Sequence, residues 1–380
     1  MIVAIQPDLG PVHSPERDRS SPRWAELLES AGHDVRVVDV YRADILDQLR
    51  GCDGFMWRHG HTRGMWHIAR RLLPIIEREL GLVIYPDQNT CWHYDDKIAQ
   101  AHLFKAAGIP APKTWVWFDE AAALEWAASA AFPVVLKLWS GAQASNVRLV
   151  HSADEAVSWV RRLFSSGVHS LADSDINPLP WKRRLKEAAR VTVTGRASPP
   201  PRHRWDLHKN YILFQEFLPD NEYDTRITVI GHRAFGIRRY NRPDDFRASG
   251  SGLFEHDPAL IDPDAVRFGF EVAERLGTQS LALDILRKDG RWVVAEISYT
   301  YASWAVHDCP GHWEFCETAT GDELEWHPGR MWPEEAQIAD FLERLEQRQV
   351  RRKHAVLAND GVPDVPAARL RGDATGPARG

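Results

Sequence analysis

Short apolar runs alternate with amphipathic stretches through the first 93 residues of the chain. Apolar runs of the length of buried strands occupy residues 2–5, 34–40, 54–58 and 81–86. Stretches with apolar positions at helical spacing occupy residues 21–31, 42–50 and 66–80. Because strands that alternate with helices pair in parallel, this pattern predicts a small parallel sheet with helices on both faces.

The segment WRHGH, residues 57–61, follows the third predicted strand. Ligands of parallel α/β sheets bind beyond the carboxyl ends of the strands. The segment is therefore either an ordinary polar loop or a loop that faces a substrate, and the sequence leaves both interpretations open.

The pattern changes near residue 94, where a second unit begins. A helical stretch that Asp95 or Asp96 can cap ends at Gly108. A second helical stretch, 119–130, leads into the strand–loop–strand sequence FPVVLKLWSGAQASNVRLV. This unit is predicted to mix helices with strands that need not alternate regularly.

Residues 165–208 are polar, contain clusters of Arg and Lys and include SPPPRHR, which predicts an insertion or mobile loop. Strand patterns resume in NYILFQEFL, DTRITVIG and RAFGIRRY. A helix over 263–276, a hairpin over 281–301 and a closing helix over 331–350 are expected after them. Residues 346–380 have little to bury and are expected to be a disordered tail.

The composition is that of an ordinary globular protein, with 44% hydrophobic and 26% charged residues. The net charge of −6 argues against a general nucleic-acid binder, which is normally basic. No apolar run approaches the roughly 20 residues that span a bilayer. Since the first residues also lack a basic region and a cleavage site, we expect a cytoplasmic protein with neither nucleic acid nor membrane as a partner.

The four cysteines are too few and too scattered for a disulfide framework. Cys309 and Cys316 lie with His307 and His312 in the segment HDCPGHWEFC. Their spacing matches none of the usual zinc patterns. The segment is interpreted as a loop near a substrate cleft, with a zinc site as the alternative.

The predicted hairpin LALDILRKDGRWVVAEISYTY carries one carboxylate in each strand, Asp284 and Glu296. A two-residue turn would place Asp284 opposite Ala295 and turn Glu296 to the other face. A three-residue turn would instead place both carboxylates and Ser298 on one face. We expect the three-residue turn, because two neighbouring carboxylates are suitable ligands for Mg²⁺. The alternative is a pair of solvent-facing acids on a surface sheet.

Lysine occurs in apolar surroundings at two positions, Lys97 and Lys137. Each is either a salt-bridged structural residue or a contact for phosphate. The chain contains no Gly-Lys dipeptide and no full GxGxxG, so a nucleotide would have to bind without those loops.

The order of these segments resembles the ATP-grasp superfamily, in particular its ribosomal-protein glutamate ligase and glutathione synthetase-like members. DDKIAQAHLFKAAGIPAPKT is similar to the helix and turn that open the ATP-binding unit, and FPVVLKLWSGAQASNVRLV to its strand lysine and phosphate loop. LFQEFLPDNEYDTRITVIG is similar to the adenine hinge with its Asp-x-Arg, and RRYNRPDDFRASGSG to the arginine segment. ALDILRKDGRWVVAEIS is similar to the metal-binding hairpin. The resemblance covers residues from about 94 to 300, apart from the insertion.

The resemblance implies an α/β fold of the ATP-grasp type, in which a small parallel domain precedes two α+β lobes that enclose ATP. The segments would be a first domain over 1–93, a small lobe over 94–213 with the insertion 165–208, a large lobe over 214–345 and the tail 346–380.

Carried over by position, the resemblance also implies the residues of the site. ATP would be contacted by Lys97 and Lys137 at the phosphates, the backbone of Gly141 and Gln143 in the phosphate loop, the main chain of Glu216, Phe217 and Leu218 at adenine, and Asp224 at ribose. The γ-phosphate, the carboxylate substrate or the acyl-phosphate would be steadied by Arg226, Arg238 and Arg247. One or two Mg²⁺ ions would be held by Asp284, Glu296 and Ser298. Relatives usually have asparagine in place of Ser298, so a second ion is the weaker implication.

The activity implied is that of an ATP-dependent ligase that joins a small-molecule carboxylate to an amine. Transfer of the γ-phosphate turns the poorly electrophilic carboxylate into an acyl-phosphate, which an amine can attack. The alternatives are a phosphotransferase that releases a phosphorylated product and a nucleotide-binding module without catalysis. The sequence does not name the substrates, and a homodimer is the ordinary expectation for a soluble enzyme.

Overall fold

The computed structural model describes residues 1–8, 19–60, 63–141, 146–169, 207–243, 245–318 and 321–359. Within these residues, no helix is long and apolar enough to cross a membrane. The described strands form three sheets and one short strand pair.

The first domain contains a parallel sheet of four strands in the order β2-β1-β3-β4. Its elements are β1 (Ile2–Ile5), α1 (Ser20–Ser30), β2 (Asp34–Val37), α2 (Ile45–Gln48), β3 (Gly54–Met56), α3 (Arg63–Pro74), β4 (Val83–Tyr85) and α4 (Gln88–Cys91). A π-helical turn, Ile75–Glu79, continues α3. The parallel sheet predicted from the alternating pattern is therefore confirmed.

The small lobe contains an antiparallel sheet of four strands in the order β5-β10-β6-β7. Its elements are α5 (Lys97–Ala106), β5 (Thr114–Trp117), α6 (Glu120–Ser129), β6 (Val134–Lys137), β7 (Val147–Val150), α7 (Ala153–Phe164), β8 (Val168–His169), β9 (Leu207–His208) and β10 (Ile212–Glu216). Because β10 is a central strand, the predicted lobe boundary at residue 213 falls inside it. Most of the predicted insertion, residues 170–206, lies outside the described residues.

The large lobe contains an antiparallel sheet in the order β15-β14-β11-β12-β16-β17, with β13 beside β12. Its elements are β11 (Tyr223–Ile230), β12 (Arg233–Tyr240), β13 (Phe254–Glu255), a 3₁₀ turn (Pro258–Leu260), α8 (Pro263–Leu276), β14 (Ser280–Lys288), β15 (Arg291–Ser298), α9 (Ser303–His307), β16 (Gly311–Thr318), β17 (Gly321–Pro328) and α10 (Pro333–Asn359). One face of this sheet packs on α8. The approach is close at Gly269, where a Cβ atom would lie 2.6 Å from Ile227.

Helix α10 packs on the sheet of the first domain. Phe341 is fully buried there and lies in one apolar cluster with Val3, Trp24 and Met56. The opposite face of the same sheet is covered by α2 and α3 through a separate cluster that includes Phe55. Two helical layers thus bury a parallel sheet from both sides, as such sheets require.

The extent of α10 corrects one prediction. The helix runs to Asn359, past residue 350, so residues 346–359 are helical and do not belong to a disordered tail. Residues 360–380 lie outside the described part of the chain. With this change, the predicted α/β domain followed by two α+β lobes is confirmed.

Gln279, just before β14, joins the large lobe to the first domain. Its side-chain oxygen accepts a hydrogen bond from the backbone N–H of Asp87 (2.9 Å), and its side-chain nitrogen donates to the carbonyl of Ile84 (2.9 Å). Its own backbone N–H donates to the Thr90 hydroxyl (2.7 Å). Its backbone carbonyl accepts from the Gly231 N–H (3.0 Å). Because Gln279 is buried, these bonds satisfy all four of its polar groups and fix the start of β14.

Candidate active site

The β14–β15 hairpin places Asp284 directly opposite Glu296, but not by the predicted three-residue turn. Lys288 pairs with Arg291, so the turn has two residues, Asp289 and Gly290, both with positive φ (49° and 75°). This is the conformation that Asp-Gly turns favour. The predicted turn length is therefore wrong.

A β-bulge brings the two carboxylates together instead. Ile285 pairs with Val294, and Asp284 pairs with Glu296, so Ala295 is an extra residue on β15. An extra residue shifts the alternation of side chains by one position and returns Glu296 to the face of Asp284. The predicted shared face is thus observed, with a different cause.

Asp284 lies in a network of two carboxylates and two guanidinium groups. Arg226 forms a bidentate pair with Asp284, with distances of 2.7 and 2.9 Å. Arg239 lies between Asp284 (2.6 Å) and Asp224, to which it donates two bonds of 2.6 Å. Burial alone would raise the pKa of Asp284, but the guanidinium groups of Arg226 and Arg239 hold this pKa well below its usual range. The carboxylate is therefore ionised.

Arg238 does not lie in this network, which corrects its prediction. On β11 and β12, Asp224 pairs with Arg239, whereas Arg238 pairs with Thr225 on the opposite face of the sheet. Arg238 donates to the carbonyl of Leu260, and its guanidinium group stacks 4.1 Å from the Tyr223 ring. Arg239, which sequence reasoning did not propose, is the arginine of this pair that contacts Asp284 and Asp224.

Lys97, the first residue of α5, links Glu296 to the phosphate-loop region. Its Nζ lies 3.1 Å from Glu296 Oε1, donates to the carbonyl of Gly141 (3.0 Å) and lies 4.0 Å from Asp95. Asp96 caps the helix by accepting a bond from Ala99 N–H (2.9 Å). Lys97 thus lies beside Glu296 of the hairpin. Its implied contact with the ATP phosphates stays a prediction, and the sequence analysis considered Asp95 only as a cap.

Lys137 lies at the end of β6, half-buried and without a counterion. Within the described part of the chain, its side chain has no hydrogen bond or ion pair. Burial lowers the pKa of Lys137 to about 8, although Glu296 acts in the opposite direction. A partly desolvated ammonium group without a partner gains free energy when an anion binds beside it.

Ser298 lies on the face of Asp284 and Glu296, where it pairs with Ala282. Its hydroxyl donates to the carbonyl of Thr300 (2.7 Å) and accepts from the Thr300 N–H (3.2 Å). These bonds occupy the hydroxyl hydrogen and one lone pair. The serine therefore shapes the turn after β15, and its role as a metal ligand stays a prediction.

The oxygen donors on this face fit one Mg²⁺ ion. Asp284 and Glu296 face each other, and 35% of the Glu296 side chain is exposed toward the cleft. Among the described residues, no group of three or more His, Cys, Asp or Glu side chains is arranged for a metal. Mg²⁺ is commonly bound by one or two carboxylates together with substrate phosphates, so two acids suffice.

The predicted adenine segment, Glu216 to Leu218, connects the small lobe to the large one. The Glu216 N–H donates to the carbonyl of Lys113 (2.8 Å), and its carboxylate pairs with Lys288 of the hairpin (2.5 Å). The ring of Phe217 packs on Phe246 at 5.6 Å. The segment therefore lies where the lobes meet, and its contact with adenine stays a prediction.

Arg247 follows β12 and reaches toward the small lobe. Its guanidinium group pairs with Asp245 (2.6 Å) and lies 3.5 Å from the carbonyl of Val147. Its predicted role at the γ-phosphate stays a prediction. Gln143 lies outside the described residues.

The segment WRHGH, which the sequence left open as either a polar loop or a substrate-facing one, meets the end of the hairpin. Arg58 donates to the carbonyl of Tyr301 (2.7 Å), and the Tyr299 hydroxyl donates to the carbonyl of His59. Burial lowers the pKa of His59 to about 3, so its imidazole is neutral. The carboxyl end of β3 thus lies beside the end of β15, the strand that carries Glu296 and Ser298.

The residues of the alternative zinc site have different neighbours. His307 stacks on Trp332 with 3.8 Å between ring centres, and Cys309 Sγ lies 3.6 Å from the carbonyl of Gly236. His312 lies 3.2 Å from Glu314. These three side chains do not converge, which argues against a zinc site built from them.

The comparisons with known proteins identify similar enzymes. No family model matches the chain. The chain is 22% identical over 289 residues to alpha-aminoadipate–LysW ligase LysX of Saccharolobus solfataricus, a match that covers 73% of this chain and 89% of that protein. The solved structure of D-alanine–D-alanine ligase from Bacillus anthracis matches with a TM-score of 0.54 and 13% identity, over 93% of this chain and 99% of that one. The same enzyme complexed with ATP gives a TM-score of 0.50 at 14% identity.

Proposed function

From the ATP-grasp fold that the chain shares with these ligases, we propose that it is an ATP-dependent carboxylate–amine ligase. It activates a carboxylate as an acyl-phosphate, joins it to an amine and releases ADP and phosphate. The observation that carries the proposal is Lys137, a half-buried lysine beside a pair of facing carboxylates, which forms no ion pair with any described residue.

The charges of the site are balanced before ATP binds. Four carboxylates and four cations meet between the lobes: Asp95, Asp224, Asp284 and Glu296 with Lys97, Lys137, Arg226 and Arg239. A triphosphate adds several negative charges to this neutral cluster. The site therefore requires a divalent cation with the nucleotide, which agrees with the two carboxylates that share one face of the hairpin.

Each side chain then has a task in the transfer. Lys137 and Lys97 attract the phosphate oxygens, and Arg226 stabilises the charge that develops on the transferred group. Asp284 and Glu296 would hold Mg²⁺, which neutralises phosphate charge when it is bound. The chain itself supplies binding and orientation, because phosphoryl transfer needs little covalent chemistry from the enzyme.

The carboxylate and amine would bind between the first domain and the large lobe. Arg58 and His59 lie at that junction, where they contact Tyr301 and Tyr299. The similar ligase LysX is named for a small amino acid and for LysW, and the similar D-alanine ligase for two small amino acids. We therefore propose a small carboxylate as one substrate and either a small amine or an amine on a peptide or protein as the other.

The test is product analysis with ATP and Mg²⁺. Purified protein is incubated with a metabolite extract, and the products are analysed by mass spectrometry together with ADP. A condensed product supports the ligase. A product that is heavier only by a phosphate group would indicate a phosphotransferase, and ATP binding without any ADP would indicate a non-catalytic module.

Within this assay, Glu296→Gln is expected to reduce ADP formation by at least about a hundredfold, because the amide cannot replace an anionic metal ligand. Glu274→Gln, an exposed residue of α8, is the matched control and should retain full turnover. Full turnover of Glu296→Gln would show that the metal assignment is wrong.

A further inference from the structure

Asp95 adopts a backbone conformation that residues other than glycine rarely adopt. Its φ is +51°, in the left-handed region, immediately before the first turn of α5. This region is unfavourable for most L-residues, and Asp is among the few that enter it. A residue held there needs compensating contacts, and its side chain provides them.

Those contacts attach the start of the phosphate loop to α5. The carboxylate of Asp95 accepts a hydrogen bond from the Gly141 N–H (2.9 Å), and the Gly141 carbonyl accepts from Lys97 Nζ (3.0 Å). The Lys97 backbone N–H donates to the carbonyl of Trp139 (2.7 Å). The backbone N–H and the carbonyl of Gly141 are therefore held by two side chains, those of Asp95 and Lys97.

The loop is also closed at its base. Asn146 Nδ2 donates to the carbonyl of Ser140 (2.6 Å), and the Asn146 carbonyl accepts from the Leu138 N–H (3.0 Å). Gly141 has a φ of +131°, and a Cβ atom on it would lie 2.4 Å from Asn146 Nδ2. The position of Gly141 is thus fixed on one side by Asn146 and on the other by Asp95.

Asp95 also lies beside the ammonium group of Lys97, 4.0 Å from its Nζ. Lys97 is only 6% exposed, and a buried charge is costly without a nearby opposite charge. Asp95 is thus one of the two carboxylates that surround this ammonium group, with Glu296 at 3.1 Å as the other.

We infer that Asp95 is a positioning residue of the ATP site: it holds Gly141 and Lys97 in the arrangement that receives the phosphates. The inference takes its ligand, ATP, from the proposed function. The attachment of Gly141 to Asp95 does not depend on that function. Asp95 itself points at the loop backbone and at Lys97, so it acts through them.

The test compares three variants. Asp95→Gly removes the carboxylate and tolerates the positive φ, whereas Asp95→Asn keeps a side-chain oxygen that can accept from Gly141. Asp96→Ala is the matched control, because it removes the neighbouring carboxylate, which caps α5 by accepting from the Ala99 N–H and has no hydrogen bond to the described residues of the loop.

For Asp95→Gly we expect a KM for ATP about tenfold higher, with kcat changed much less, since the charged hydrogen bond that holds Gly141 in position for binding is lost. In Asp95→Asn the KM for ATP should return most of the way to the wild-type value. Asp96→Ala should lower the unfolding temperature and leave the KM for ATP unchanged. An unchanged KM in Asp95→Gly, or an equal increase in Asp96→Ala, overturns the inference.

Hydrogen–deuterium exchange of the ligand-free protein separates this inference from the proposed function. The peptide that contains Gly141 should exchange faster in Asp95→Gly than in the wild type and in Asp96→Ala. Unchanged exchange overturns the inference whatever the activity. If the exchange increases but the wild-type protein never forms ADP, the proposed ligase activity fails while the attachment of the loop stands.

Discussion

Two neighbouring arginines on β12 have opposite surroundings because side chains alternate along a strand. Arg239 is only 4% exposed and shares two carboxylates, whereas Arg238 lies on the other face and stacks on Tyr223. The sequence contained the information needed to choose between them. Counting outward from the Gly231–His232 turn places Asp224 opposite Arg239. Arg238 was proposed from its position in the motif, without counting the residue pairs from the turn.

The two arginines should respond differently to removal. Arg239→Ala leaves two carboxylates without their shared cation in a buried network, which we expect to cost about 3–5 kcal/mol of the free energy of unfolding. Arg238→Ala, on the more exposed side, should cost about 0–1 kcal/mol. Urea unfolding of both variants measures the difference, and ADP formation should fall only in Arg239→Ala. Equal losses of stability would contradict the assignment of faces.

Sequence reasoning at this scale succeeded where a position alone defined the neighbours. Lys97 and Glu296 were both proposed for the site, and their side chains lie 3.1 Å apart. Sequence reasoning missed the loop contact of Asp95, because two aspartates before a helix are both typical capping residues. The structure shows that Asp96 caps α5, whereas Asp95 adopts a positive φ.

At the scale of elements, the bulge at Ala295 decides which face Glu296 occupies. The sequence predicts a hairpin and its ends, since these depend on local preferences, but the expected three-residue turn is replaced by a two-residue Asp-Gly turn. A bulge is set by the pairing of whole strands and leaves little trace in the residues that form it. The shared face of the acids was therefore predicted correctly from a turn length that does not occur.

This arrangement predicts an asymmetry between deletion and insertion. Deleting Ala295 removes the extra residue and leaves Glu296 opposite Asp284 in a regular ladder, so ADP formation should persist. Inserting a second alanine after Ala295 moves Glu296 toward the apolar face, so ADP formation should fall by at least about a hundredfold.

Circular dichroism and an unfolding curve show that both length variants are folded before the assay. The assignment of the bulge would be refuted if the insertion variant turned over as fast as the deletion variant.

At the scale of the whole molecule, the order of the domains could be predicted, because each segment carries its own hydrophobic pattern. The place of α10 could not. Its apolar residues, such as Phe341, indicate a face to be buried but not which sheet buries it. In the structure that sheet is formed by residues more than 250 positions earlier in the chain, including Val3 and Met56.

Helix α10 should therefore contribute to the stability of the first domain. Phe341→Ala removes a fully buried ring that lies against Gly54, where a Cβ atom would approach within 2.7 Å. We expect a loss of about 3–5 kcal/mol in the free energy of unfolding, measured in urea. Val350→Ala, at a position that is 51% exposed on the same helix, should change it by less than about 0.5 kcal/mol. A similar effect of both substitutions would mean that α10 does not cover the sheet.

The position of α10 also constrains how the protein is made. During synthesis the strands of the first domain leave the ribosome long before residues 333–345 exist, so one face of their sheet is covered only in part, by α1. At roughly 5–20 residues per second, the nascent chain spends on the order of ten seconds or more in this state. The lobes that bind ATP can fold in that interval, but the first domain cannot complete its core. The apolar residues that Phe341, Ile338 and Leu345 later contact thus stay without that cover until translation reaches α10.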